Sequence, residues 1–170
     1  ALEALDEAGR LQVAIAGSYI GAVVGAGAAA GMTGGALRAH VLALHEAPTR
    51  VARRIWSQFG FSAPGLSLDP MQAVCAMLPD EIPERIEDLQ IPLTVVATDY
   101  HARDSHRITE GPLREALAAS IAIPGLFRPV ELDGRVLIDG GVAENLPLAA
   151  LPEADLSLAV DVASEPPSTD

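Results

Sequence analysis

The sequence predicts an α/β fold, a three-layer helix/sheet/helix sandwich around a mainly parallel central sheet. Three observations carry this. Strand-like and helix-like patterns alternate along the 170 residues, which is how helices come to cover a parallel sheet. Hydrophobic residues make up 49% of the chain, enough for a real core at this length. Aromatics are only 4%, and the dominant Ala, Leu, Val and Gly suit close helix-on-sheet packing better than an all-β sandwich.

The elements follow in order. Leu2, Leu5 and Ala8 recur at helical spacing and Gly9 is a stop signal, so a helix runs over 1–9. A short strand is expected at Leu11–Ala16. Beyond it, the stretch from Arg10 to Arg38 holds no charged residue, and Gly17, Gly21, Gly25, Gly27 and Gly31 give three Gly-x-x-x-Gly spacings. A membrane-spanning dimerisation helix is written in the same way. Seven glycines between Gly17 and Gly35, and no aromatic or basic belt, favour a buried strand, a tight turn and a buried helix instead.

From Arg38 to about Glu87 the pattern is amphipathic and helical, interrupted by the Gly/Ser/Pro tract 60–70 and resuming at "MQAVCAML". Arg50, Arg53 and Arg54 read as the wet side of a helix or as a seat for an anionic head group. "IPLTVVATDY", Ile91 to Tyr100, is a β-rich run, and "SHRIT" is its expected hairpin partner. A helix starts at Pro112 and ends before Pro124. Asp133-Gly134 joins two strands as a hairpin. "LSLAVDV" is expected as a last buried strand, and 164–170 as a linker or disordered tail.

The formal net charge of −12, from 23 acidic and 11 basic residues, repels a polyanion and argues against a nucleic-acid partner. The lone Cys75 rules out an internal disulfide and reads as a buried structural thiol. His40, His45, His101 and His106 fall at i, i+5 rather than the i, i+4 spacing of paired helix ligands, so they read as solvated surface residues and no metal is expected.

Reactive groups in such folds collect at the carboxyl ends of strands. Two strand ends carry unusual turns, "GSYIG" at 17–21 and Asp139-Gly140-Gly141. A Gly-x-x-x-Gly turn between strand and helix thrusts its central side chain upward before a helix N-terminus, which can stabilise an oxyanion. Asp139 reads either as a turn residue capping a helix or as a general base for a nearby hydroxyl.

Together "ALEALDEAG", "IAGSYIGAVVGAGAAAG", "IPLTVVATD", "LREALAASIAIPGLFRPVELDGR", "VLIDGGVAENLP" and "LAVDV" resemble, in order, the patatin-like phospholipase domain over 1–163. The resemblance implies a patatin-like fold and hydrolysis of lipid acyl esters by a Ser-Asp dyad without a cofactor. Gly17 and Gly21 would be the elbow glycines, Asp139 the dyad base, and Gly140 and Gly141 the rest of its motif. Ile20 would offer its backbone N–H to the oxyanion. Ser120 and Pro124 match a segment taken as structural and pocket-lining.

Two departures stand out. The nucleophile position is Tyr19, and the family's glycine-rich oxyanion segment is expected upstream of Ala1. A phenol oxygen lies roughly 4 Å farther from its Cα than a serine Oγ, and its ordinary pKa of about 10 makes an aspartate a poor base for it. Ser18 has the right chemistry in the wrong register, because neighbouring side chains diverge. The chain therefore reads as an acyl hydrolase disarmed at Tyr19, with Ser18 as a weak alternative nucleophile. A non-catalytic module binding lipid or a partner on the same fold is the rival reading, and a membrane-embedded chain a third. The expected ligand is a lipid or acyl ester, with peripheral membrane contact and a cytoplasmic or membrane-peripheral location. Oligomeric state is not legible.

Overall fold

A computed structural model describes residues 1–9, 12–46 and 68–162. It contains helices α1 (Leu2–Glu7), α2 (Ile20–Ala29), α3 (Gly34–Glu46), α4 (Pro70–Met77) and α5 (Leu113–Ser120), and strands β1 (Ile15–Ser18), β2 (Leu93–Asp99), β3 (Asp104–Ile108), β4 (Val130–Leu132) and β5 (Arg135–Ile138). The basic triplet Arg50, Arg53 and Arg54, and the tail 164–170, lie outside the described residues.

Helices lie against one five-stranded sheet in the order β1-β2-β5-β4, with β3 also paired to β2. The predicted α/β class is present. Its parallel relation holds for β1 and β2, with Ser18 opposite Val96. Among the described strands the other pairings, β2 with β3, β2 with β5 and β4 with β5, are antiparallel. Short hairpins connect β2 to β3 and β4 to β5, and a hairpin can only be antiparallel.

β2 sits at the centre because its sequence allows it: every residue but Thr94 is buried, the signature of a strand covered on both faces. The β4–β5 hairpin turns on Asp133 and Gly134, both with positive φ, 49° and 73°, as an Asp-Gly turn requires. α5 exposes no atom of Leu113, Ala116, Leu117 or Ser120, an i, i+3, i+4, i+7 stripe. It packs on α4 and β2. α2 packs on β1 and β2, and at Gly25 a Cβ would already stand 3.0 Å from Ile15 Cγ2. Gly25 thus serves close helix-on-strand packing. No described helix is long and apolar enough to cross a membrane.

Three expectations need correction. β1 begins at Ile15 and runs to Ser18, later than the predicted Leu11–Ala16, because pairing with β2 rather than hydrophobicity sets its limits. "LSLAVDV" is not a buried strand: Leu156, Leu158, Val160 and Val162 are exposed and the segment joins none of the described strands. Alternation marks a segment capable of pairing but does not provide its partner. Cys75 is exposed rather than buried, because α4 turns Pro70, Ala73 and Val74 inward and the next residue is rotated about 100° away.

Candidate active site

The site forms where β1 and β5 end. β1 delivers Tyr19 into the turn before α2, and the residue adopts φ 53° and ψ −127°, a conformation costing of order 1–3 kcal/mol for a non-glycine residue. Two features enforce it. Gly17 removes a Cβ that would stand 2.6 Å from Ala22 Cα, so α2 can start directly over the strand. The Tyr19 N–H donates to Ser120 Oγ at 3.0 Å, and Ser120 Oγ donates to the Val96 carbonyl at 2.6 Å. Gly21 behaves differently, since a Cβ there would meet nothing within 4 Å. Ile20 is the first residue of α2, and N–H groups in a first turn have no acceptor four residues back.

Asp139 follows β5 and is held through both backbone and side chain. Its N–H donates to the Ala122 carbonyl at 3.0 Å. Its carbonyl accepts from Thr98 Oγ1 at 2.7 Å, and Thr98 Oγ1 accepts from the Ala143 N–H at 3.1 Å. Oδ1 accepts from the Gly141 N–H at 2.7 Å, capping the 3-10 turn Gly140–Val142. The capping role expected of an Asp-Gly-Gly turn is therefore filled, and it occupies one carboxylate oxygen. Burial pushes the Asp139 carboxyl above the usual carboxylate range, and the Gly141 hydrogen bond offsets this only in part. A carboxylate shifted in that direction is a stronger base.

Gly140 is a steric requirement: a Cβ would collide with the Val96 carbonyl and stand 2.5 Å from Ser18 Oγ. The three chain segments that carry Ser18, Val96 and Gly140 therefore meet with no room between them.

Tyr19 and Asp139 line one cavity of about 340 Å³ together with Ile123, Pro124, Val142 and Asn145. Tyr19 is 38% exposed there, whereas Asp139 is 7% exposed. Gly141 also borders the cavity. Ser18 does not: it is buried in β1 facing Gly140, and its Oγ has no hydrogen-bond partner among the described residues.

No group of three or more metal-type side chains gathers among the described residues. His101 is exposed and His106 half-buried. His40 departs from a purely solvated histidine: it is half-buried, with Nε2 2.7 Å from the Met77 carbonyl. The side chain of His45 lies outside the described residues.

Sequence reasoning missed Thr98 and the specific role of Ser120. Both carried a signal. Thr98 is a hydroxyl at a buried position of the central strand, and Ser120 lies on the inward stripe of α5, so each must find a partner when buried.

The patatin-like phospholipase family model matches residues 1–152. An NTE family protein of Mycobacterium tuberculosis and one of Mycobacterium bovis are each 40% identical over 164 residues, covering 95% of this chain and 44% of their own length. Neuropathy target esterase sws of Drosophila melanogaster is 36% identical over 85 residues, 47% of this chain and 6% of that protein. The chain thus spans less than half the length of the curated relatives it matches.

Proposed function

Since the chain belongs to the patatin-like phospholipase family, we propose that its site is built to hydrolyse lipid acyl esters and is disarmed by the tyrosine at its elbow. The observation that carries this reading is the conformation of Tyr19. A strained residue at a strand-to-helix turn lines one cavity with a buried, basic-shifted Asp139, which is the arrangement an activated hydroxyl nucleophile needs.

With serine at position 19, Oγ attacks the acyl carbonyl while Asp139 accepts its proton. Charge developing on the carbonyl oxygen is met by the Ile20 N–H and the positive end of α2. The C–O bond to the alcohol breaks, Asp139 returns the proton to the leaving oxygen, and an acyl-enzyme remains. Water activated by the same carboxylate then releases the acid. Tyr19 cannot enter this sequence, because its oxygen reaches past the point where the base and the oxyanion donors converge. Ser18 takes no part, since its hydroxyl points into the contact with Gly140.

The test compares the protein with its Tyr19→Ser variant on a short-chain p-nitrophenyl ester. Turnover by the variant alone supports the reading. A folded variant that leaves the ester intact overturns it in favour of a module that binds lipid without cleaving it. The half-exposed phenol in an otherwise open cavity is the observation on that side. Peripheral contact with a lipid surface fits either case: Val142, on the cavity wall, is 60% exposed, and Leu148 is exposed on the turn that follows.

A further inference from the structure

Asp139 stands where its sheet pairing runs out. β5 pairs with β2 through Asp99 opposite Leu137 and Thr98 opposite Ile138, so Asp139 is the first residue beyond that ladder. The turn that follows gives the cavity part of its wall through Asp139, Gly141 and Val142. Val142 is 60% exposed, so solvent rather than packed protein meets that side of the turn. A short turn open on one side needs an anchor on the other.

The buried Thr98 supplies that anchor. Its Oγ1 donates to the Asp139 carbonyl at 2.7 Å and accepts from the Ala143 N–H at 3.1 Å. A hydroxyl is donor and acceptor at once, so one side chain clamps the turn at both ends. Neither backbone group depends on it for a partner: the Asp139 carbonyl also accepts from the Val142 N–H at 3.2 Å, and the Ala143 N–H also donates to the Gly140 carbonyl. Removing the hydroxyl therefore lets the turn shift without leaving either group unpaired. The other half of the site hangs on the same strand. Ser120 Oγ, which accepts from the Tyr19 N–H, donates to the Val96 carbonyl, two residues before Thr98. Three consecutive residues of β2 thus set both position 19 and Asp139.

We propose that Thr98 is a positioning residue, which fixes where the Asp139 carboxylate stands relative to position 19 by clamping both ends of the turn that carries it. The carboxylate takes its orientation from the Gly141 N–H, 2.7 Å from Oδ1, and Gly141 lies inside the clamped turn. A turn that shifts carries this bond with it. Tyr19 is the other titratable group among the residues lining the cavity. The catalytic consequence rests on the ester-hydrolase reading, and the two experiments below fail separately.

The first experiment keeps Tyr19 in place and follows the Asp139 carboxyl carbon by NMR through a pH titration of the protein, Thr98→Val and Thr98→Ser. Valine keeps the shape and removes the hydroxyl. The Gly141 hydrogen bond favours the charged carboxylate, so its loosening in Thr98→Val should move the midpoint up and shift the Gly141 N–H resonance, and Thr98→Ser should restore both. A folded Thr98→Val with midpoint and resonance unmoved overturns the positioning role. The unsubstituted protein decides even if Thr98→Val fails to fold: its Thr98 hydroxyl proton should persist in water and show a nuclear Overhauser contact to the Ala143 N–H, and a hydroxyl exchanging as fast as a free one overturns the clamp.

The second experiment adds Thr98→Val and Thr98→Ser to Tyr19→Ser and measures hydrolysis of p-nitrophenyl butanoate. Thr98→Val should lower kcat by about 10- to 100-fold with KM little changed, and Thr98→Ser should recover it. An unchanged kcat overturns the positioning role and keeps the hydrolase. No hydrolysis by Tyr19→Ser, with the Asp139 midpoint still moved by Thr98→Val, keeps the positioning of the carboxylate and overturns the hydrolase.

Discussion

The backbone N–H of Tyr19 is held by Ser120 Oγ, 101 residues later in the chain, at 3.0 Å. Ser120 has no exposed surface and donates its own hydrogen bond to the Val96 carbonyl on the central strand. One hydroxyl thus ties the elbow to α5 and β2 at once. The strained turn is held by a partner that its own neighbourhood in sequence does not contain.

Replacing Ser120 with alanine should therefore loosen the elbow. The Tyr19 N–H loses its acceptor, and the expected cost is about 1–3 kcal/mol, read as a lower urea midpoint. Amide exchange at Tyr19 should quicken more than at residues of β2. An unchanged Tyr19 exchange rate would show that the strand and helix alone hold the turn.

The two motif glycines should answer differently to alanine. Gly140→Ala pushes a methyl into the Val96 carbonyl and Ser18 Oγ, with backbone on one side and no space to yield, and should cost at least about 1–3 kcal/mol. Gly21→Ala meets nothing within 4 Å and lies inside α2, so it should be neutral or stabilise by about 0.5–1 kcal/mol. Thermal unfolding of the pair, side by side, checks both. Equal losses would contradict the contacts at Gly140.

Asp139 makes a prediction about pH. Its carboxyl is raised in the folded protein, chiefly by desolvation, so the folded state holds a proton that the unfolded state has already released. Between the unfolded value, about 3.9, and the higher folded value, stability falls as pH rises. Asp139→Asn keeps an oxygen for the Gly141 N–H and removes the buried charge. It should raise the melting temperature at pH 7, and the gain should vanish below pH 4. In the Tyr19→Ser background the same substitution should abolish ester turnover. The rate of Tyr19→Ser itself should fall on the acid side at a pH above the ordinary carboxylate range. A melting temperature lowered by Asp139→Asn at pH 7 would show that the carboxylate is paired rather than merely buried.

The sequence by itself determined the α/β class, the order of most elements and the two unusual turns at strand ends, because these rest on local rules. Pro112 at its start and Pro124 beyond its end placed α5. The run "LTVVATD" placed β2, and Asp133-Gly134 placed the β4–β5 hairpin. "GSYIG" and Asp139-Gly140-Gly141 stood out because a glycine beside a strand end marks a backbone that must bend or pass closely. Tertiary structure decided what depends on a distant partner. β1 starts at Ile15 because β2 pairs it there, and three of the described pairings turn out antiparallel. Residues 156–162, with alternation as regular as any strand, stay exposed because none of the described strands pairs with them. The role of Ser120 and Thr98 was hidden for the same reason. A buried hydroxyl announces that it needs a partner, but only the packed fold says that the partners are Tyr19 and Asp139.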